Sequence, residues 1–388
     1  VFERAPSRRE RIMTPDLEVI AAGTYASVQD LGRFGFRRIG VPWSGVLDRD
    51  LMHIANTLAG NPPTHPVIEC FDGGQQFRAV NAPIRLALAG HATLEIRTAE
   101  GSRSIAAWRS FTLAAGDTLR ILSTGSGRIA VLAVAGLAIT RVMGSASTYA
   151  RAGIGGAHGR ALVAGDRLPC DAAVARSEHI LDQPPRLTPA PIRAVPGPQH
   201  AHFSRDSLSA FFAATYVVSN AADRMGIRLD GAPIAHRDDC GHEIVSDAIV
   251  PGSIQVPGNG LPIVLLADAQ TAGGYPKIAT VISADLSRLA AMRPGDNLSF
   301  TAVSAEEGER IARRARDALD ATLSRIRTIT EDGLDLTALY AANLVDGAVN
   351  ALAQEPDPPR RFNHDMSKTE SAKPDQSPPA DSPERNDA

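Results

Sequence analysis

The sequence predicts a mainly β protein, made of two tandem copies of one strand-rich unit and followed by a helical segment. Three observations carry this reading. Aromatic residues make up only 5% of the chain while Gly numbers 33 and Pro 27, so turn residues repeatedly cut the apolar runs. Those runs have the length of strands. One pattern of turn and strand then recurs at a fixed separation. The 388 residues suffice for two ordinary domains.

Composition narrows the function classes. With 44% hydrophobic and 21% charged residues the chain has the balance of a globular protein with real cores. The formal net charge is -3, so no broad basic field exists to hold a nucleic-acid backbone. Small acidic substrates remain open, since a few local Arg or Lys side chains suffice for them. Cys70, Cys170 and Cys240 stand far apart without a CxxC pair, which argues against a disulfide framework and points to a reducing compartment, the cytoplasm. The strongest apolar run, Ile129 to Ile139, is too short to span a bilayer. Residues 1–13 are charged, lack the apolar centre of a secretory signal and are expected to be a disordered leader, with Met13 as a practical start.

In chain order, strands are expected at Leu17–Ala21, Ile84–Leu88, Thr118–Leu122, Ile129–Val134, Tyr216–Ser219, Ile263–Leu266 and Leu298–Ala302. Short strands joined by tight turns usually close into barrels or sandwiches, which leave few exposed edges. The repeat joins Pro83-Ile84 to Gly116-Asp117-Thr118-Leu119, and Pro262-Ile263 to Gly295-Asp296-Asn297-Leu298, with both pairs at the same separation. Arg33-Phe34-Gly35 and Arg224-Met225-Gly226 form a third pair at another offset, and Gly165-Asp166-Arg167-Leu168 suggests an insertion in the first copy. The first unit is read as 14–190 and the second as 191–303, joined by a Pro-rich linker around Asp182–Pro198. Ser304-Ala305-Glu306-Glu307 is a capping box, and Ile311, Ala315, Leu319 and Leu323 follow at helical spacing. A second helix is expected from Asp335 through Leu344, giving a helical extension over 304–353. The Pro- and charge-rich tail, 354–388, lacks the apolar surface to order itself.

Familiar catalytic signatures are absent: no phosphate loop, no GxSxG elbow, no HExxH and no paired-Cys zinc site. His200-Ala201-His202 is read as an innocent loop pair, and no metal site is expected. Two stretches are rich in candidate chemistry. Asp30-Leu31-Gly32-Arg33-Phe34-Gly35 runs on to Gly40-Val41-Pro42-Trp43-Ser44-Gly45 and Asp48, where glycines permit close backbone approach. Its plainer reading is a long connection in which Asp30 pairs with Arg33 and Asp48 caps a helix over Arg49–Leu58. Asp268-Ala269-Gln270-Thr271-Ala272-Gly273-Gly274-Tyr275-Pro276-Lys277 directly follows an apolar strand, so its polar groups gather at one strand end. Gly273 and Gly274 can turn main-chain N–H groups toward an anion, Lys277 supplies a point charge, and Arg224 can grip an anion with its fork.

Together these stretches resemble the C-subunit family of 5-oxoprolinase (PxpC/KipA), also described as allophanate hydrolase subunit 2 or biotin-dependent carboxyltransferase. The resemblance runs over about Asp16 to Ala302. It includes Gln29-Asp30-Leu31-Gly32-Arg33, Glu69, Gly144-Ser145 with Ser147-Thr148-Tyr149, and Pro196-Gly197-Pro198-Gln199. It also includes Asp223-Arg224-Met225-Gly226, Ile254-Gln255-Val256-Pro257 and Gly273-Gly274-Tyr275-Pro276-Lys277. Ala146, Ala272 and Val46-Leu47 depart from the family pattern.

The resemblance implies two tandem cyclophilin-like β-barrel domains and a hetero-oligomer with KipI-like and LamB/YcsF-type subunits. The assembly would use ATP to open 5-oxo-L-proline to L-glutamate, with this chain inactive or weak alone. It implies Arg224, Lys277, Asp268 and Tyr275 as catalytic candidates. Gln270, Gly273, Gly274, Gln255, Asp30, Arg33 and Glu69 are the substrate-binding candidates. Two other readings stand beside it: a urea carboxylase-type carboxyltransferase taking biotin in trans, and a regulatory protein that sequesters a KipI-like kinase inhibitor.

Overall fold

The computed structural model describes residues 14–173, 177–186 and 190–329. The expected leader, the second helix from Asp335 and the tail lie outside the described residues. All seven expected strands form. The class is mainly β, with two facing sheets in the first unit and a closed barrel in the second.

Continuous apolar runs and alternating ones fold differently here. Ile129–Val134 is buried at every position because both faces of its sheet are covered. Ala130, Leu132 and Val134 point into the core between the sheets. Ile129, Val131 and Ala133 point outward against the helix Arg49–Ala59. Ile84–Ala89 divides in the same way between Leu86 and Leu88 inside and Ala87 and Ala89 under the helix. Small residues on the outer face let the helix approach closely. Asp48 caps that helix, accepting from Leu51 N at 3.0 Å.

The first unit's seven-stranded sheet runs in the order 25–29, 67–71, 129–134, 84–89, 109–113, 178–180, 327–329. The six-stranded sheet facing it runs 167–169, 16–22, 75–80, 118–124, 92–97, 102–105. The second unit is a closed barrel of seven strands: 192–196, 277–281, 253–255, 263–265, 226–230, 215–222 and 297–302. A parallel pairing of Ile192–Pro196 with Asn297–Ala302 closes it. Phe211, on the helix Arg205–Ala213, stacks on Phe300 at 4.9 Å within its core. A two-stranded ribbon, Asp247–Ala248 with Ala272–Gly273, stands outside the barrel.

All three Gly-Asp turns adopt one geometry. In each, the glycine N–H donates to a residue of a neighbouring strand and that residue's N–H donates back to the aspartate carbonyl. The partners are Ala79 for Gly116-Asp117, Val218 for Gly295-Asp296 and Val19 for Gly165-Asp166. The third turn is therefore built like the other two, and it lays Arg167–Pro169 along Asp16–Ala22. The equal separation extends to the turn and to where the strand starts, but not to the neighbours. Ile84–Ala89 lies between 129–134 and 109–113, whereas Ile263–Leu265 lies between 226–230 and 253–255.

The helical segment does not stand apart. Ser304 caps Ala305–Leu323 through Glu307 N at 3.2 Å, and Leu319 packs into the apolar cluster beneath the helix Arg49–Ala59. Arg327–Ile329 then pairs with Glu178–Ile180, extending the first unit's sheet.

Candidate functional site

The connection 30–48 crosses from the first unit to the barrel. Ser44 N donates to Ala267 O at 3.1 Å. Gly45 has φ 92°, and a Cβ there would stand 2.8 Å from Leu31 O, so only glycine fits. Its carbonyl accepts from Arg224 Nη2 at 2.5 Å. Arg224, in the turn between strands 215–222 and 226–230, also donates from Nε to Asp268 Oδ2 at 3.0 Å and from Nη2 to Asp268 Oδ1 at 3.2 Å. Its Nη1 donates to Glu69 Oε1. The other Glu69 oxygen accepts from Leu47 N at 2.7 Å.

Glu69, Arg224 and Asp268 thus come together at the junction, nearly fully buried. Four of the five guanidinium N–H groups of Arg224 are committed to protein acceptors. Burial works against its charge, but Asp268 and Glu69 outweigh that and hold its pKa above the ordinary value. Arg224 is a fixed cation that joins two units rather than a free hand for an anion.

Beside this cluster lies a cavity of about 330 Å³. Tyr25, Phe71, Arg128, Arg151, Arg224 and Asp268 line it among others. Tyr25 stands edge-on to Phe71 at 5.6 Å. Burial raises the Tyr25 pKa while Arg224 opposes it, so the phenol keeps its proton at neutral pH. The Arg128 guanidinium lies 5.1 Å over the Phe71 ring and bonds Asp72 at 2.9 Å. Its Nε is buried without a hydrogen-bond partner. Tyr25, Arg128 and Arg151 were not among the sequence candidates. Arg128 follows Gly125-Ser126-Gly127, the same glycine-rich turn signal that marked the other stretches.

Lys277 belongs to a different cluster. It is 3% exposed, and its Nζ donates to Asp247 Oδ2 at 2.8 Å. Gln199 Nε2 donates to the same oxygen at 2.9 Å and Gln199 Oε1 accepts from Lys277 N at 3.2 Å. Lys277, a backbone N–H and Gln199 hold the Asp247 carboxyl down at about 2. Gln255 is buried next to the ribbon. A Cβ on Gly273 would stand 2.7 Å from Gln255 Nε2 and 2.6 Å from Ile249 Cδ1, so a larger residue there would displace the ends of both side chains. Gly274 O accepts from Ile244 N at 2.8 Å. Gln270 is exposed and Tyr275 is 39% exposed, both on the ribbon side.

Asp30 and Arg33 anchor the segment 141–148. Asp30 Oδ1 accepts from Ser145 Oγ and from Ser147 Oγ, both at 2.6 Å, and Oδ2 accepts from Ala146 N at 2.7 Å. Arg33, fully buried, donates to Ser147 O at 2.6 Å and to Val142 O at 3.2 Å. Burial lowers its pKa, with Asp30 and Asp268 opposing. No ion pair joins Asp30 to Arg33 among the described residues. The hydroxyls of Gly144–Tyr149 therefore hold a loop in place. His200 Nδ1 contacts Gly197 O at 2.8 Å, and no group of three metal-ligating side chains occurs among the described residues.

A two-sheet unit and a barrel sharing a buried Glu–Arg–Asp cluster beside a cavity define a two-unit β protein with its polar site at the junction. Residues 39–302 match the family described as carboxyltransferase domain, subdomain A and B, and the chain belongs to that family. It is 40% identical over 294 residues to the C subunit of 5-oxoprolinase from Escherichia coli (strain K12), covering 75% of this chain and 92% of that one. The crystal structure of TTHA0988 matches with TM-score 0.65 and 34% identity, over 77% of this chain and 57% of that one. The Kluyveromyces lactis urea carboxylase matches with TM-score 0.72 and 25% identity, over 83% of this chain. This chain spans only 30% of that enzyme.

Proposed function

We propose that this chain is one component of a multi-subunit, ATP-dependent 5-oxoprolinase that hydrolyses 5-oxo-L-proline to L-glutamate in the cytoplasm. It would work with KipI-like and LamB/YcsF-like subunits and have little activity alone. The observation that carries the reading is the junction cavity, where small size, an aromatic wall and guanidinium groups meet, in a chain 40% identical to a 5-oxoprolinase component. A five-membered lactam bearing a carboxylate is a small anionic ring. Arg151 and Arg128 suit its carboxylate, Phe71 its ring face, and the protonated Tyr25 hydroxyl its amide oxygen. Glu69 and Asp268 hold Arg224 at the wall and neutralise it, so attraction of an anion there falls to Arg151 and Arg128.

A lactam is a poor electrophile, and ATP supplies a phosphoryl group that turns its oxygen into a leaving group. A cavity of about 330 Å³ suits the ring better than a nucleoside triphosphate, so ATP is assigned to a partner protein of the complex. Lys277 stays available to a ligand only by exchanging Asp247 for it.

The test uses the co-expressed and co-purified complex. Arg151→Ala is expected to raise the KM for 5-oxoproline at least tenfold, and Tyr25→Phe to lower kcat about tenfold or more. Glutamate release unchanged in both would overturn the site assignment. The likeness to urea carboxylase supports a second reading, a carboxyltransferase using biotin carried in trans. Avidin would abolish activity on that reading and leave 5-oxoprolinase activity untouched.

A further inference from the structure

Arg128 lines the cavity from a turn that is held on two sides. Its main-chain N donates to Ala291 O at 3.2 Å, and its carbonyl accepts from Asp72 N at 2.8 Å. Arg293 reaches across the junction to the same turn. Its Nη2 donates to Thr124 O at 2.6 Å, to Thr124 Oγ1 at 2.7 Å and to Gly127 O at 2.8 Å. Its Nε lies 3.6 Å from Asp72 Oδ1. The other oxygen of Asp72 accepts from Arg128 Nη2 at 2.9 Å. One carboxylate is therefore shared by two guanidinium groups, of which Arg128 lines the cavity and Arg293 does not.

The backbone is shaped for this sharing. Asp72 has φ 58°, in the left-handed region that Asp, Asn and Gly tolerate best. Gly73 follows with φ 97°, and a Cβ there would stand 2.7 Å from Ser123 Cα, so the Asp72 turn is wedged against the strand that leads to Arg128. Apart from Asp72, the Arg128 guanidinium has no hydrogen-bond partner among the described residues. Its Nε is buried and unpaired, and the group lies over the Phe71 ring.

Charge decides what Arg293 adds. On the wall, Arg128, Arg151 and Arg224 stand among Asp223 and Asp268. Glu69 pairs with Arg224 and Asp72 with Arg128, so the acidic groups of the wall and its bonded partners outnumber the basic ones by one. That balance disfavours a bound carboxylate. Arg293 supplies the missing positive charge at Asp72. Asp296 accepts from the Arg293 main-chain N at 2.7 Å and forms no ion pair with its guanidinium.

We infer that Arg293 is a positioning residue for the anion site of the cavity. It acts through Asp72, whose charge it offsets, and so leaves Arg128 available to the carboxylate of a small ring. The inference rests on the reading of this cavity as the 5-oxoproline site.

Steady-state kinetics of the co-purified complex test it. Arg128→Ala is expected to raise the KM for 5-oxoproline about tenfold or more. Arg293→Gln keeps a side-chain donor and loses the charge. It should raise KM about threefold or more and change kcat by less than about twofold, because Arg293 does not line the cavity. Arg293→Lys keeps the charge and should recover most of that loss. The deciding variant combines Arg293→Gln with Asp72→Asn. Asn tolerates φ 58° and still accepts from Arg128, and the pair is then neutral, so KM should return to within about twofold of wild type. A KM that stays raised in the double variant would show that Arg293 only braces the turn, and overturns the inference. Wild-type KM in Arg293→Gln beside a raised KM in Arg128→Ala overturns it too, and leaves the cavity reading standing. Unchanged KM in Arg128→Ala overturns the cavity reading, and the inference with it.

Discussion

Asp48 shows how a single residue carries two opposed effects. Its carboxylate caps the helix Arg49–Ala59, yet burial pushes its pKa up to about 7, against 3.8 for an ordinary aspartate. A carboxyl raised in the folded state binds a proton that the unfolded chain has lost between those two values. Stability from this group therefore increases as pH falls from above 7 toward 4, and charging it at higher pH is unfavourable. Asp48→Asn keeps the cap and removes the charge. Thermal melts should show it stabilised by about 1–2 kcal/mol at pH 8 and nearly unchanged at pH 4.5. An equal effect at both pH values would show that the group does not titrate there. The capping role was legible in the sequence because Asp precedes a helical run. The raised pKa was not, since it follows first from burial, which only the folded arrangement provides. The same holds for Tyr25 and Arg128. Their positions look like ordinary strand and turn residues until the sheets bring Tyr25 beside Phe71 and the barrel brings Arg224 beside both.

Elements were read well where local chemistry decides them and poorly where partners do. The six-residue run Ile129–Val134 is apolar throughout because a helix covers one face and a facing sheet the other, and that pattern is visible in one dimension. The ribbon 247–248 with 272–273 was not visible, because each strand has two residues and its stability lies in side chains. Lys277, Asp247 and Gln199 form its clasp. Asp247 titrates at about 2 in the folded state, below the 3.8 of an ordinary aspartate. Its stabilisation is complete above the ordinary value and is lost only as pH falls through the lower one. Hydrogen exchange at 247–250 and 272–273, corrected for intrinsic rates, should keep the same protection from pH 7 to pH 5. Asp247→Asn should accelerate exchange there severalfold without changing Tm. Protection in the variant equal to wild type would show that the ribbon is held by its backbone alone.

At the scale of the whole molecule the two units are joined by buried polar bonds rather than by a linker. Arg224 reaches Glu69 and Gly45 O, Ser44 N reaches Ala267 O, and Arg293 Nη2 reaches Thr124 O at 2.6 Å and Gly127 O at 2.8 Å. Leu47 packs against the barrel core and the helix cluster alike. The helix Ala305–Leu323 leaves the barrel and seals the first unit with Leu319. Separate melting of either unit would break these bonds and uncover the apolar packing of Leu47 and Leu319, so calorimetry should record one cooperative transition. Arg224→Met leaves Glu69 and Asp268 buried without their cation, which costs roughly 3–5 kcal/mol. The triple change Glu69→Gln, Arg224→Met, Asp268→Asn removes all three charges and should recover most of that loss. Combining it with Arg293→Ala removes the second polar tie and should split the transition into two. A single unsplit peak in the combined variant would mean that apolar packing by Leu47 and Leu319 couples the units without help from the charged cluster.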